Sequence, residues 1–153
     1  MTQPIDHDAV VRHIAGARFP FPDQQDWPAD YRTVVNAGNP TTSIDTPDGL
    51  AYPDIVIVND DREIREMGEV ETEITSDLVG KWQAYSEAVP IDGETGVRPL
   101  FVYVPDGQEE TARALLQENG ISFAGVRAYR VENDGRIRII PYVTPGAAKD
   151  HRE

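Results

Sequence analysis

The run Pro53-Asp54-Ile55-Val56-Ile57-Val58 leaves this chain little choice of local conformation. Four consecutive β-branched residues lose side-chain freedom in a helix and pack well on a pleated sheet, and Asn59-Asp60-Asp61 ends the run abruptly. The chain resumes through Ile64 to Glu73, so the sequence predicts a β-hairpin. With a compact turn centred on Asp60 and Asp61, Ile57 falls opposite Ile64 and Asp54 opposite Met67. Side chains alternate faces with a period of two, and Glu69 and Glu71 then face the same side as Asp54. An odd-length loop or a bulge would break this parity.

Carboxylates gather against their own repulsion when something positive compensates them, and hard oxygen ligands suit Mg²⁺ or Mn²⁺. Asp54, Glu69 and Glu71 are therefore candidate metal ligands. Asp and Glu together make up 27 of the 153 residues, so a Glu-x-Glu pair on a solvated strand needs no function by itself. The weight comes from the segment that follows. From Ser76 to Val89 the apolar residues Leu78, Trp82, Tyr85 and Val89 recur at helical spacing, and Pro90 stops the pattern. Lys81 flanks this buried stripe, in reach of the acidic site. Lys149 is the only other lysine in the chain.

The remaining elements are a first helix around Ala9 to Ala17, an irregular segment, a strand from Leu100 to Val104, a further helix and a further strand. Asp106-Gly107-Gln108-Glu109 reads as a capping box opening a helix that carries Ala112, Leu115 and Leu116 and ends at Asn119-Gly120. A strand from Val126 to Val131 follows, which makes a strand-helix-strand unit of an α/β layer.

In this order the chain resembles the PD-(D/E)xK nuclease superfamily, over roughly residues 40 to 140. Pro53-Asp54 matches the first motif of that family, Glu69 the acidic position of the second, and Val70 the intervening residue. Glu71 stands where the family usually has lysine. Some members carry glutamate there and others move the lysine to the next helix, where Lys81 is the candidate. Lys81 and Tyr85 also reproduce the spacing of the Gln-x-x-x-Tyr motif of the RecB-like branch, with lysine in place of glutamine.

The resemblance implies a restriction-endonuclease-like α/β fold, a central mixed β-sheet flanked by helices in the order α-β-β-β-α-β-α-β. It spans a single domain over residues 1–143, with a polar tail over 144–153. The implied activity is metal-dependent hydrolysis of phosphodiester bonds in nucleic acid, DNA before RNA. Asp54, Glu69 and the Val70 carbonyl would hold Mg²⁺ or Mn²⁺, and Glu71 would serve as a further ligand or as the base. Lys81 would stabilise the charged transition state, and Tyr85 would contact substrate. A duplex cutter with one site per chain would act as a homodimer. The alternative is a nuclease-like fold without cleavage, serving as an interaction or regulatory module through its acidic surface.

Charge opposes the first reading. The formal net charge is −13, whereas phosphate neutralisation by Lys and Arg supplies most non-specific affinity for nucleic acid. Arginines are densest at Arg127, Arg130, Arg136 and Arg138, on a hairpin turned at Asn133-Asp134-Gly135, where alternation with Ile137 and Ile139 marks them as its solvated side. An acidic, arginine-over-lysine composition also fits a salt-rich cytoplasm or a GC-rich genome.

Cysteine is absent, which excludes disulfides, zinc-thiolate sites and cysteine nucleophiles. The longest aliphatic run, Ile55 to Val58, is too short to cross a bilayer, and no signal-peptide pattern is present, so the expectation is a cytoplasmic protein without a membrane partner. His7 and His13 are six apart on the first helix, a spacing that does not put two ligands on one face, and His151 falls in the tail; none reads as a metal site. Asp6 and Asp8 suit the N-terminus of that helix, and superfamily members sometimes lend the metal an acidic residue from there. The segment from Phe19 to Pro28, with three prolines, two phenylalanines and Trp27, is expected to wrap the core with its aromatics.

Overall fold

The structure, a computed structural model, describes residues 5–19, 27–93 and 95–145. Its elements are α1 (His7–Arg18), β1 (Arg32–Val35), β2 (Ile44–Thr46), β3 (Gly49–Ala51), β4 (Ile55–Val58), β5 (Ile64–Val70), α2 (Val79–Ala88, preceded by a 3₁₀ turn over Ser76–Leu78), β6 (Leu100–Pro105), α3 (Glu109–Glu118), β7 (Gly125–Val131) and β8 (Ile137–Val143). Six strands form one mixed sheet in the order β1-β4-β5-β6-β7-β8, and β2 and β3 form a separate hairpin. β5, β6 and β7 run parallel, joined by helical crossovers, while β1, β4 and β8 pair antiparallel with their neighbours.

Alternation along the central strand divides the core into two layers. Phe101 and Tyr103 of β6 pack toward α1 with Val10, Val11, Ile14, Ile55, Ile57 and Tyr129. Leu100, Val102 and Val104 pack toward α2 and α3 with Met67, Trp82, Ala112 and Leu116. Every residue of β6 is buried, as expected of a parallel strand covered on both faces.

The β4–β5 hairpin forms, in a register other than the sequence suggests. Five residues, Asn59 to Glu63, separate the pair Val58 and Ile64, an odd loop that reverses the parity. A bulge between Ile57 and Val58 then places Ile57 opposite Glu66 and Ile55 opposite Gly68, which reverses it again. The two irregularities cancel, so Asp54 and Glu69 face the same side after all. Gly68 is dictated by Phe19: a Cβ at 68 would stand 3.0 Å from the Phe19 ring and 3.4 Å from Ile55 Cβ. Gly68→Ala should cost about 1–3 kcal/mol, read as a lower urea midpoint at unchanged m-value, because the Phe19 ring is held edge-on against Phe101 and Tyr103 and has little room to retreat.

Three readings are corrected. The capping box at Asp106 does not form: the helix N-cap is Gln108, whose side chain accepts from Ile74 N instead, and Asp106 pairs with Arg130. Arg127 is not on the solvated side with Arg130, Arg136 and Arg138, but 1% exposed with its guanidinium 5.1 Å over the Phe101 ring. The segment before the β4–β5 hairpin is not wholly irregular, because β2 and β3 pair there around Pro47 and Asp48. Of the aromatic segment from Phe19 to Pro28, Phe19 is a core residue and Trp27 packs edge-on against Tyr31, while residues 20–26 lie outside the described residues. The expected tail also lies outside them from residue 146 onward. No helix among the described residues is long and apolar enough to cross a membrane.

Candidate functional site

β4 begins where β5 ends, and this shared end of the sheet collects the predicted residues. Asp54 lies just ahead of β4. Its backbone N–H donates to Glu69 Oε1 at 2.9 Å, and its Oδ2 accepts from Val70 N at 2.8 Å. The two carboxylates are thus each fixed by the other residue's strand. From the α2 side, Lys81 Nζ reaches Glu69 Oε2 at 2.8 Å and Glu71 Oε2 at 2.6 Å. Lys81 therefore sits on the acidic pair, as its helical position predicts.

Glu71 is the most constrained of the group. Its Oε2 also accepts from Trp82 Nε1 at 2.9 Å, its backbone N–H donates to Tyr103 O, and its carbonyl accepts from the Tyr129 hydroxyl at 2.6 Å. With one carboxylate oxygen shared by an ammonium and an indole, its visible work is to hold Lys81 against Glu69. Tyr85 is 5% exposed and packs with Trp82 and Met67. Burial, followed by the charges of Glu69 and Asp54, raises its phenol pKa, so the hydroxyl stays protonated.

Reading the sequence missed His7. It occupies the first turn of α1, whose N-terminus is capped by Asp6 through Ala9 N. His7 Nε2 lies 3.2 Å from Asp54 Oδ2 and 3.2 Å from the Val70 carbonyl, while Nδ1 lies 3.0 Å from Asp8 Oδ1. Both ring nitrogens face oxygen acceptors, which only the imidazolium can satisfy with a proton on each. Its pKa is raised accordingly: burial works against the charge, and the Asp54 and Asp8 carboxylates outweigh it. The helix-face test in the sequence compared His7 with His13, which is exposed, whereas the true partners are 47 and 63 residues away.

Three carboxylates face one lysine and one histidine in a largely buried space. Glu69 carries the surplus: burial, then the neighbouring Asp54 charge, pushes its pKa well above the usual carboxylate range despite Lys81. Lys81 moves up as well, because the Glu69 and Glu71 charges outweigh its own burial. The site therefore holds a charged ammonium beside a carboxyl that is harder to ionise than usual.

Among the described residues no three His, Asp or Glu side chains close on one point as a ready-made metal cage. What does converge is Asp54 Oδ2 and the Val70 carbonyl, with Glu69 beside them and a cationic ring nitrogen between them. Two carboxylates, one carbonyl and water suffice for Mg²⁺, which rarely takes an all-protein shell. Carboxylate and carbonyl oxygens are the donor types that a hard divalent ion takes.

The arginines of the β7–β8 hairpin are engaged with acids. Arg130 and Arg136 lie 2.7 Å from Asp106 and Asp134, and Arg138 lies 3.9 Å from Glu132. Comparison of the chain with protein-family models, curated proteins and solved structures returns no match.

Proposed function

We propose that this chain is a metal-dependent nuclease of the PD-(D/E)xK type, with a restriction-endonuclease-like fold. The observation that carries the proposal is that Asp54 Oδ2 and the Val70 carbonyl meet at one sheet end, each 3.2 Å from His7 Nε2, with Glu69 held beside them by Asp54 N. The order of hairpin, helix, parallel strand, helix and parallel strand supports the fold. Asp54, Glu69, the Val70 carbonyl and, on loss of its Nε2 proton, His7 would bind Mg²⁺ or Mn²⁺, with Asp8 holding the far nitrogen of His7.

A divalent ion, when bound, would supply an acidified water and offset charge on the phosphate oxygens. The chain's own residues supply the rest. Lys81, whose pKa is raised by Glu69 and Glu71, is unsuited to be the base and would stabilise charge on the phosphate. Glu71 orients Lys81 through its shared Oε2, and Trp82 fixes Glu71. Tyr85 offers a protonated hydroxyl beside Glu69 as a substrate donor. Cutting both strands of DNA would need a second copy of the chain.

The test is incubation with single-stranded and duplex DNA and with RNA, at low and high salt, in Mg²⁺, Mn²⁺ or EDTA. Cleavage dependent on the metal is expected. A second reading, an inactive nuclease-like interaction module, is favoured by the pairing of Arg130, Arg136 and Arg138 with acids. Saturable metal binding without cleavage of any substrate would establish it over the first.

His7→Ala gives a finer check. Imidazole suits Mn²⁺ better than Mg²⁺ among oxygen donors, so the variant should lose about tenfold in Mn²⁺ affinity by calorimetry and distinctly less in Mg²⁺ affinity. Equal losses for both ions would remove His7 from the ligand set.

A further inference from the structure

Arg62 is the only non-glycine residue with positive φ among the described residues, at φ 62°. An L-residue with a long side chain is disfavoured there, and glycine or asparagine would suit the position better. The turn does not ask for arginine: it is closed by Asn59, whose Oδ1 accepts from Asp61 N and Glu63 N, and Arg62 contributes only its backbone N–H to Asn59 O. No described residue pairs with the guanidinium. A strained residue with a side chain left unused by the fold points to a ligand.

The Arg62 side chain lines a cavity of about 760 Å³ on the face of the sheet that carries α2. Arg32 shares its rim, in loose contact with Asp60 at 3.9 Å, and Thr42 and Ser43 add hydroxyls. Val58 and Ile64 give it an apolar floor, and Asp45 stands on the same rim. Arg32 already faces Asp60, so Arg62 is the guanidinium left for a ligand, and a single guanidinium suits a phosphodiester monoanion better than a phosphomonoester dianion. The apolar floor is suited to the flat face of a base.

The cavity is tied to the carboxylate site. Asn36 donates from Nδ2 to the carbonyls of Thr42 and Pro53 and accepts on Oδ1 from Thr41 N and Thr42 N, while its backbone N–H donates to Asp54 O. The hydroxyl-bearing wall and the chain leading into Asp54 are therefore one hydrogen-bonded unit. Val58 is four residues from Asp54 along β4, about 13 Å, a span that one nucleic-acid strand covers in a few steps.

We infer that this cavity binds one nucleotide of a nucleic-acid strand, its phosphodiester held by Arg62 and its base on Val58 and Ile64. The choice of nucleic acid rests on the nuclease reading; the cavity's preference for an anionic, partly apolar ligand does not. The experiment uses a short fluorescein-labelled oligothymidylate in EDTA at low salt, followed by fluorescence anisotropy, with the full chain and its Arg62→Gly variant. Glycine removes the guanidinium and relieves the backbone, so the variant should melt at higher temperature while binding about tenfold more weakly. Equal binding by the two proteins, or no binding by the native chain, overturns the cavity's role. Loss of binding in Arg62→Gly, together with no cleavage by the native chain in any metal, upholds the cavity and overturns the nuclease reading alone. Cleavage by both proteins with equal oligonucleotide binding does the reverse.

Discussion

Asp54→Asn and Glu69→Gln should each lower metal-dependent cleavage by about a thousandfold, the rate equivalent of about 4 kcal/mol of transition-state stabilisation. The amides are chosen because they keep the backbone. Asp54 Oδ2 accepts from Val70 N and Glu69 Oε1 from Asp54 N, and an amide oxygen can accept either bond, so the backbone pairing of the two strands is kept. The Asp54 charge helps raise the Glu69 pKa, so neutralising Asp54 relieves repulsion and metal-free Asp54→Asn should be at least as stable as the native chain, whereas Glu69→Gln also gives up the ion pair with Lys81. Calorimetry with Mn²⁺ reads binding, thermal melting in EDTA reads the fold, and initial rates read the chemistry. Full metal-dependent cleavage by Glu69→Gln would sink the proposed function, because no other carboxylate lies in the same place between Asp54 and Lys81.

The carboxylate cluster was legible because the period of a strand is short and strict. Asp54, Glu69 and Glu71 needed only parity, and parity survived although both of its assumptions failed. The odd loop from Asn59 to Glu63 and the bulge at Ile57 each invert the faces, and only their combination restores them. A register argument that ends on the right face can thus still place the wrong pair opposite, Met67 instead of Glu69. Lys81 was legible for a similar reason: one helical turn separates it from Leu78 and Tyr85, whose buried face is set by apolar spacing.

Long-range and directional features were not legible. His7 reaches Asp54 only because α1 lies across the sheet with its first turn at the end of β5, and nothing local in the sequence reports that placement. Trp82 was read as a core residue, which it is, but periodicity cannot say that its indole N–H points at Glu71. The three-residue strands β2 and β3 are too short for alternation to register. Asp106 had the residue type and spacing of a capping box, yet Arg130 on the neighbouring strand competes for its carboxylate and wins. Arg127 lies three residues from Arg130, so a period of two puts them on opposite faces of β7, and Arg127 takes the buried one.

Lys81→Met should cost the fold about 2–4 kcal/mol at pH 8, and the cost should shrink as the pH falls. The ammonium is the cation lying between Glu69 and Glu71, whose side chains are 7% and 8% exposed against 31% for Lys81. Removing it strands two buried carboxylates, and methionine keeps the apolar stem, so the loss reports the charge. The direction with pH follows from the glutamates, because the raised Lys81 pKa keeps that residue charged throughout. Glu69 already has a folded pKa above its unfolded value, and losing the ammonium raises it further. A group shifted that way favours the fold below its unfolded pKa and loses that contribution as pH rises through the folded one. The penalty in Lys81→Met is accordingly largest where Glu69 must ionise and fades as it takes up a proton at lower pH. Urea unfolding of both proteins at pH 8 and pH 5 measures it, and an equal gap at the two values would show that Lys81 does not neutralise the pair. Under conditions where the variant remains folded, its cleavage rate should still fall about a hundredfold, since the charge aimed at the phosphate is gone. Unimpaired cleavage in a folded Lys81→Met would leave Lys81 as a stabilising counter-ion alone and assign the chemistry to Asp54, Glu69 and His7.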